Sequence, residues 1–258
     1  LLALAALGWL NATTAFAALG LATGAAAIAW LVAHRRLFAP ALPAARRDWA
    51  TNWTLARWAF ASAVLWSLSL HAYPWLVTYF HGAAAAGLWA ACVTIVNLGN
   101  IVMMGVQNFL GPKIAATYAA EGPRPMRRLV LAAGALVSLP LLVLAAGMVR
   151  FGDEAVVLLY GAAYAGQGVP LTLLVLNLLA LTLGFTFSRG LFALERADLD
   201  FWVNGIALLV LVTAGVALVR AHGVTGAATA LLLANVAALL VRAAVFFRAL
   251  PRTAEGSP

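Results

Sequence analysis

Seven long apolar runs separated by short breaks organise the sequence: residues 15–34, 55–80, 84–109, 129–149, 169–188, 201–219 and 224–247. A helix needs about 20 apolar residues to cross a bilayer, and each run meets or approaches that length. Runs this long differ from the alternating strands of about ten residues that build a membrane barrel, and a helix satisfies its own backbone in lipid. The pattern predicts an all-α polytopic membrane protein with seven transmembrane helices. Residues 1–10 belong either to the tail of an earlier helix or to an extension of the first run. The chain opens with Leu1 inside an apolar stretch, so it reads as a piece that begins within a longer protein. The segment FGDEAVVLLYGAAYAGQG after Arg150 is short and broken by glycine, and is expected to lie along the outer membrane surface.

The basic residues alternate between the breaks. Arg35, Arg36, Arg46, Arg47 and Arg57 fall after the first run, Lys113, Arg124, Arg127 and Arg128 after the third, Arg189 and Arg196 after the fifth, and Arg242, Arg248 and Arg252 at the end. The opposite set of breaks holds only Arg150 and Arg220. Cytoplasmic loops are enriched in Lys and Arg, which places the rich set and the C-terminus in the cytoplasm. The chain then divides into a first helix at 1–34, a basic linker at 35–54, a six-helix lobe at 55–247 and a polar tail at 248–258.

Composition agrees with this placement. The chain is 65% hydrophobic and 9% charged, against about 45–50% and about 25% in soluble domains. Its net charge of +8 is spread over the loops instead of forming one patch, which argues against a nucleic-acid partner. A single cysteine, Cys92, excludes a disulfide or a cysteine metal site within the chain. No phosphate-binding GxxxxGK[ST] loop, metal-spaced His/Glu pair or nucleophile elbow occurs. All eight acidic residues fall in expected loops or at helix ends, so no carboxylate is expected in mid-membrane. The expectation is a protein that is not an enzyme and holds no metal or cofactor.

Polar residues inside the runs are the candidate chemistry. Asn97, Asn100, Gln107 and Asn108 fall within an arc of about 100° on one helix. A lipid-facing amide is costly, so this arc faces protein or water. It serves either as interhelical hydrogen bonding worth about 0.6–2 kcal/mol per group or as the wall of a polar cavity. A second stripe joins Arg57, Ser67, His71, Trp75 and Thr78, with Pro74 inside the span as a kink site. His71 is an intramembrane ionisable group, and Arg57, Lys113 and Arg189 lie at cytoplasmic helix ends. Asn177, Gly184 and Ser188 share a face, while Asn204 and Asn235 stand alone and read as helix-to-helix hydrogen bonds.

The ordered motifs GAAAAGLWAACVTIVNLGN, QNFLGPKIAATYAAEG, VLLYGAAYAGQGVPLTLLVLNLLA, SRGLFALER and GVTGAATALLLANV resemble the C-terminal half of polysaccharide flippases. These belong to the multidrug/oligosaccharidyl-lipid/polysaccharide exporter superfamily. The resemblance runs over about residues 50–247. It implies two six-helix lobes, with this chain holding the last helix of the first lobe and all of the second. It further implies alternating-access flipping of a polyprenyl-diphosphate-linked oligosaccharide to the periplasmic leaflet of a bacterial inner membrane, for surface polysaccharide synthesis. The partners would be that lipid-linked oligosaccharide, membrane lipids and the N-terminal lobe. Relatives often carry an Asp-Arg-like pair where this chain reads HAYPW, a departure that weighs against any carried-over role there. For such a substrate, Arg57, His71, Asn97, Asn100, Gln107, Asn108, Asn177 and Arg189 are the candidate binding residues.

Three other readings stand beside it. A cation-coupled drug exporter of the same superfamily needs a buried acid. A membrane-bound glycan polymerase or ligase needs a large outer loop with catalytic groups. A scaffold subunit would use the amide stripe for packing alone.

Overall fold

The computed structural model describes residues 11–35 and 42–251. The expectations for residues 1–10 and for most of the 248–258 tail lie outside these. The chain forms two compact units, Leu1–Asn52 and Trp53–Pro258. Among the described residues every regular element is helical, and five helices are long and apolar enough to cross a membrane.

In the first unit, α1 (Ala12–Ala33) is apolar on all sides and exposes Phe16, Leu21 and Trp30. Its start is fixed by reciprocal capping. Asn11 Oδ1 accepts from the Thr14 amide at 2.9 Å, and Thr14 Oγ1 accepts from the Asn11 amide at 3.0 Å. A β-carbon on Gly20 or Gly24 would meet nothing within 4 Å among the described residues.

Helix α2 (Leu42–Glu121) begins earlier than expected, because the segment read as a linker is helical from Leu42 onward. Pro43 falls in its first turn, where a missing N–H costs nothing. The helix breaks at Gly82, whose φ of 79° suits glycine. Across that break the rings of Tyr73 and Trp89 stack with centroids 6.2 Å apart. Sixteen residues of straight helix would separate them by about 24 Å, so the chain reverses at Gly82.

Helix α3 (Pro123–Tyr160) starts at the left-handed Gly122 with proline in the first position. It runs unbroken through residues 151–160, the segment expected to lie on the surface. It ends at Gly161, whose φ is 91°, so the segment is broken by glycine there as expected, while Gly152 is where α3 meets the backbone of Gly168 and Asp153 Oδ1 accepts the Gly168 amide at 3.1 Å. A short 3-10 turn, Ala162–Tyr164, leads to α4 (Gly168–Ala193), the most buried helix, which packs against α3 and the last helix.

Helix α5 (Ala197–Val210) passes through a π turn, Leu211–Gly215, into α6 (Val216–Ala249). Helix α6 breaks at Gly223, with φ 55° and ψ −127°. A β-carbon on Gly226 would overlap the Leu218 carbonyl, so the chain doubles back here as well. Breaking a helix frees carbonyls that lipid cannot satisfy. The His81 ring answers one of them, with Nε2 2.7 Å from the Val219 carbonyl oxygen. The two glycine reversals therefore lean on each other.

The core of the second unit is a column of apolar clusters. Tyr73, Val77, Trp89, Leu171, Val219 and Ala227 pack around the two reversals. Met103, Val137, Leu141 and Leu178 follow, and Leu110, Ile114, Met126, Leu191 and Phe246 close the other end. The Phe246 ring rests on Gly190, where any side chain would collide with it. Cys92 is buried within the first cluster.

Candidate functional site

The polar interior centres on α4, whose Asn177, Thr182, Thr186 and Ser188 are all buried. Thr182 and Thr186 donate to their own helix, to the carbonyls of Leu178 and Thr182 at 2.7 and 3.0 Å. The Thr182 carbonyl, which already takes the Thr186 hydroxyl, and the Thr186 hydroxyl oxygen both remain open to a neighbour. Gln107 of α2 uses them: its Nε2 lies 3.2 Å from the Thr182 carbonyl and 3.3 Å from Thr186 Oγ1. Its Oε1 is buried and finds no partner among the described residues.

Gln107 lines a recess of about 190 Å³. Asn100, Asn108, Met103, Met104, Thr182, Phe185 and Trp66 line it, and Arg189 stands at one end. Gly111 makes room for this arginine, since a β-carbon there would sit 3.4 Å from Arg189 Cδ. Arg189 is half-buried and forms no ion pair among the described residues. The recess thus offers amides, hydroxyls, aromatic faces and one uncompensated positive charge.

A second polar cluster lies in the same unit. Arg242 Nε donates to Asp200 Oδ1 at 2.8 Å, and Arg242 Nη2 to Asn204 Oδ1 at 3.0 Å. Ser62 Oγ donates to Asp200 Oδ2 at 2.9 Å, and Asn204 Nδ2 to Ser62 Oγ at 2.6 Å. Asp200 and Arg242 are each 5% exposed. Gly184 of α4 gives the guanidinium its space, because a β-carbon there would lie 2.8 Å from Arg242 Nη1. Asp200 lies in the first turn of α5, at a helix end as expected, but the sequence did not show that it is buried. Arg242, counted with the C-terminal cations of the charge pattern, is buried as well. The pair is neutral as a unit, with every oxygen of the acid engaged.

Between the two clusters Asn235 Nδ2 donates to Asn177 Oδ1 at 2.7 Å, joining α6 to α4 as expected for isolated amides. These residues border a smaller recess of about 40 Å³. Trp66 and Leu181 line both recesses and form the partition between them.

The structure therefore gathers Asn100, Gln107, Asn108 and Arg189 at one site and places Asn177 at the adjoining one. It does not bring Arg57, His71 or Asn97 to either. All three are exposed. The Arg57 guanidinium lies 5.6 Å from the Trp58 ring centroid, and His71 Nδ1 is 2.8 Å from the Ser67 carbonyl oxygen of its own helix. An Asn97→Leu substitution should change stability by less than about 0.5 kcal/mol, as at ordinary surface positions, measured by thermal unfolding in detergent. The residues that sequence reasoning missed are Ser62, Trp66, Tyr73, Thr182, Thr186, Asp200 and Arg242. One signal pointed to Arg242: it is flanked on both sides by apolar residues, in AALLVRAAVFF.

Among the described residues no group of three or more His, Cys, Asp or Glu side chains is placed to hold a metal ion. Comparison of the chain with protein-family models, with curated proteins and with solved structures finds no match.

Proposed function

We propose that this chain is part of a membrane transporter that flips a polyprenyl-diphosphate-linked oligosaccharide between leaflets by alternating access. The observation that carries the reading is the Arg189 recess: an unpaired cation beside Gln107, Asn100 and Asn108 in a chain otherwise built for lipid. A diphosphate suits an arginine that forms no ion pair among the described residues, through charge-assisted hydrogen bonds. Sugar hydroxyls suit the amides that line the recess, above all Asn100 and Asn108. The ordered sequence motifs support the same class. The reversals at Gly82 and Gly223 are compatible with seven crossings, with a cytoplasmic C-terminus in a bacterial inner membrane and with a second lobe supplied by the rest of the protein. A cation-coupled exporter is the weaker reading, because the buried acid, Asp200, is already neutralised by Arg242.

The test is surface glycan per cell in a strain that depends on the full-length protein, at matched protein level. A hydrogen bond to a charged group contributes about 1.5–3 kcal/mol, so Arg189→Gln should weaken substrate capture by about tenfold or more. Asn100→Leu combined with Asn108→Leu should reduce glycan as well, and Asn97→Leu should leave it unchanged. Normal glycan in both the Arg189 variant and the double amide variant would reject this assignment of the recess.

A further inference from the structure

An open recess of about 560 Å³ lies where the end of α3 meets the start of α4. Glycine permits that meeting: a β-carbon on Gly152 would sit 3.1 Å from the Gly168 carbonyl oxygen. Two apolar runs reach their limits here, 129–149 in α3 and 169–188 in α4. As helix, the run 129–149 spans about 30 Å, the thickness of the hydrocarbon core of a bilayer. Arg128 and Arg150 bracket that run with no charge between them, so Arg150 stands where lipid headgroups begin.

The lining of the recess divides at the same level. Met148, Val149, Val169 and Leu173 form an apolar wall, with Val149 and Val169 exposed. Arg150, Asp153 and Glu154 supply charge of both signs. Arg150 and Glu154 engage each other loosely, with Nη1 4.0 Å from Oε1 and side chains 73% and 66% exposed. An ion pair that long and that exposed holds its members weakly. Both therefore keep hydrogen-bonding capacity for a ligand. Asp153 Oδ1 accepts the Gly168 amide at 3.1 Å, which fixes this acid between the two helices.

We propose that this recess holds the headgroup of a phospholipid that carries both a phosphate and a primary ammonium, a phosphatidylethanolamine. The ammonium donates to Glu154 and Asp153, the phosphate accepts from Arg150, and the acyl chains run down the apolar wall. Two carboxylates against one guanidinium leave an excess of negative charge in the lining, which disfavours an anionic headgroup. A choline headgroup has no N–H to donate. The inference goes beyond the transport reading and does not depend on it.

The test is lipid binding to the full-length protein in detergent, read by native mass spectrometry. The probes are phosphatidylethanolamine, phosphatidylcholine and phosphatidylglycerol with identical acyl chains. The ethanolamine lipid should bind about two- to fivefold more tightly than the other two, the range set by an exposed ion pair. Glu154→Gln should reduce that preference, and Arg150→Gln should weaken the phosphatidylethanolamine complex by a similar factor. Both positions are exposed, so neither change threatens the fold. Arg220→Gln, at an exposed cation outside the recess, should leave all three affinities as they are. Equal binding of the ethanolamine and choline lipids would overturn the proposal, as would tightest binding of phosphatidylglycerol or a preference undiminished by Glu154→Gln. Displacement of the lipid by soluble phosphoethanolamine at equal concentration would also overturn it, since the site would then serve a free metabolite.

Discussion

Arg242→Leu is expected to destabilise the helix bundle by about 3–5 kcal/mol, the largest effect expected of a single substitution in this chain. The guanidinium and the Asp200 carboxylate are both buried, 2.8 Å apart, with Ser62 and Asn204 filling the remaining hydrogen-bond positions. Removing the arginine leaves a buried carboxylate with no counter-charge. Asp200→Leu should cost a similar amount by stranding the cation. Removing both charges together is a different matter, because two desolvation penalties vanish along with one attraction. The double variant Asp200→Leu with Arg242→Met should recover most of the loss. Unfolding of the four proteins in one detergent, followed by helical signal, measures this cycle. A double variant no more stable than either single one would show that the groups contribute through shape and not as a buried pair.

Gly226→Ala comes second, at about 3 kcal/mol, the upper end of overpacking costs. The usual exchange of glycine for alanine inside a helix stabilises by about 1 kcal/mol, so the expected sign is the reverse of the common one. The cause is the reversal at Gly223, which folds residue 226 against the carbonyl of Leu218. A backbone atom cannot step aside as a long side chain can. Gly24→Ala is the internal control: nothing lies within 4 Å of its β-carbon position, and it should be neutral or mildly stabilising. The comparison is read from the unfolding midpoints of the two variants. Equal shifts would mean that the close approach at Gly226 relaxes freely.

The helices are legible in the sequence because lipid demands them. Each run must be apolar over a length that no loop needs, and the gaps left at residues 81–83 and 220–223 contain the glycines that break α2 and α6. The segment read as a linker is helical from Leu42 onward because alanine and arginine, both good helix formers, outweigh prolines near a helix start. The amide stripe is legible only in part. Its four residues read as the centre of the inward face, yet burial follows Met103, Gln107, Leu110 and Ile114. On a regular helix Asn100 lies close to Gln107, whereas Asn97 and Asn108 lie about 80–100° round from it, on the flank. The small and apolar residues set the packing face, and the amides had to fit it. Asp200 and Arg242 are invisible as a pair because they are 42 positions apart and meet only through tertiary packing. Each alone reads as an interfacial charge near the end of a run. Tyr73 reads like any other aromatic, and only the packing around it leaves its hydroxyl without a partner among the described residues.

The His81–Val219 bond has a consequence for biogenesis. It joins residues 138 apart, so it cannot close until Val219 has been synthesised. At about 5–20 residues per second, that is a wait of about 7–28 s after His81 leaves the ribosome. Throughout it the turn at Gly82 is without its clasp, and its final form depends on a residue not yet made.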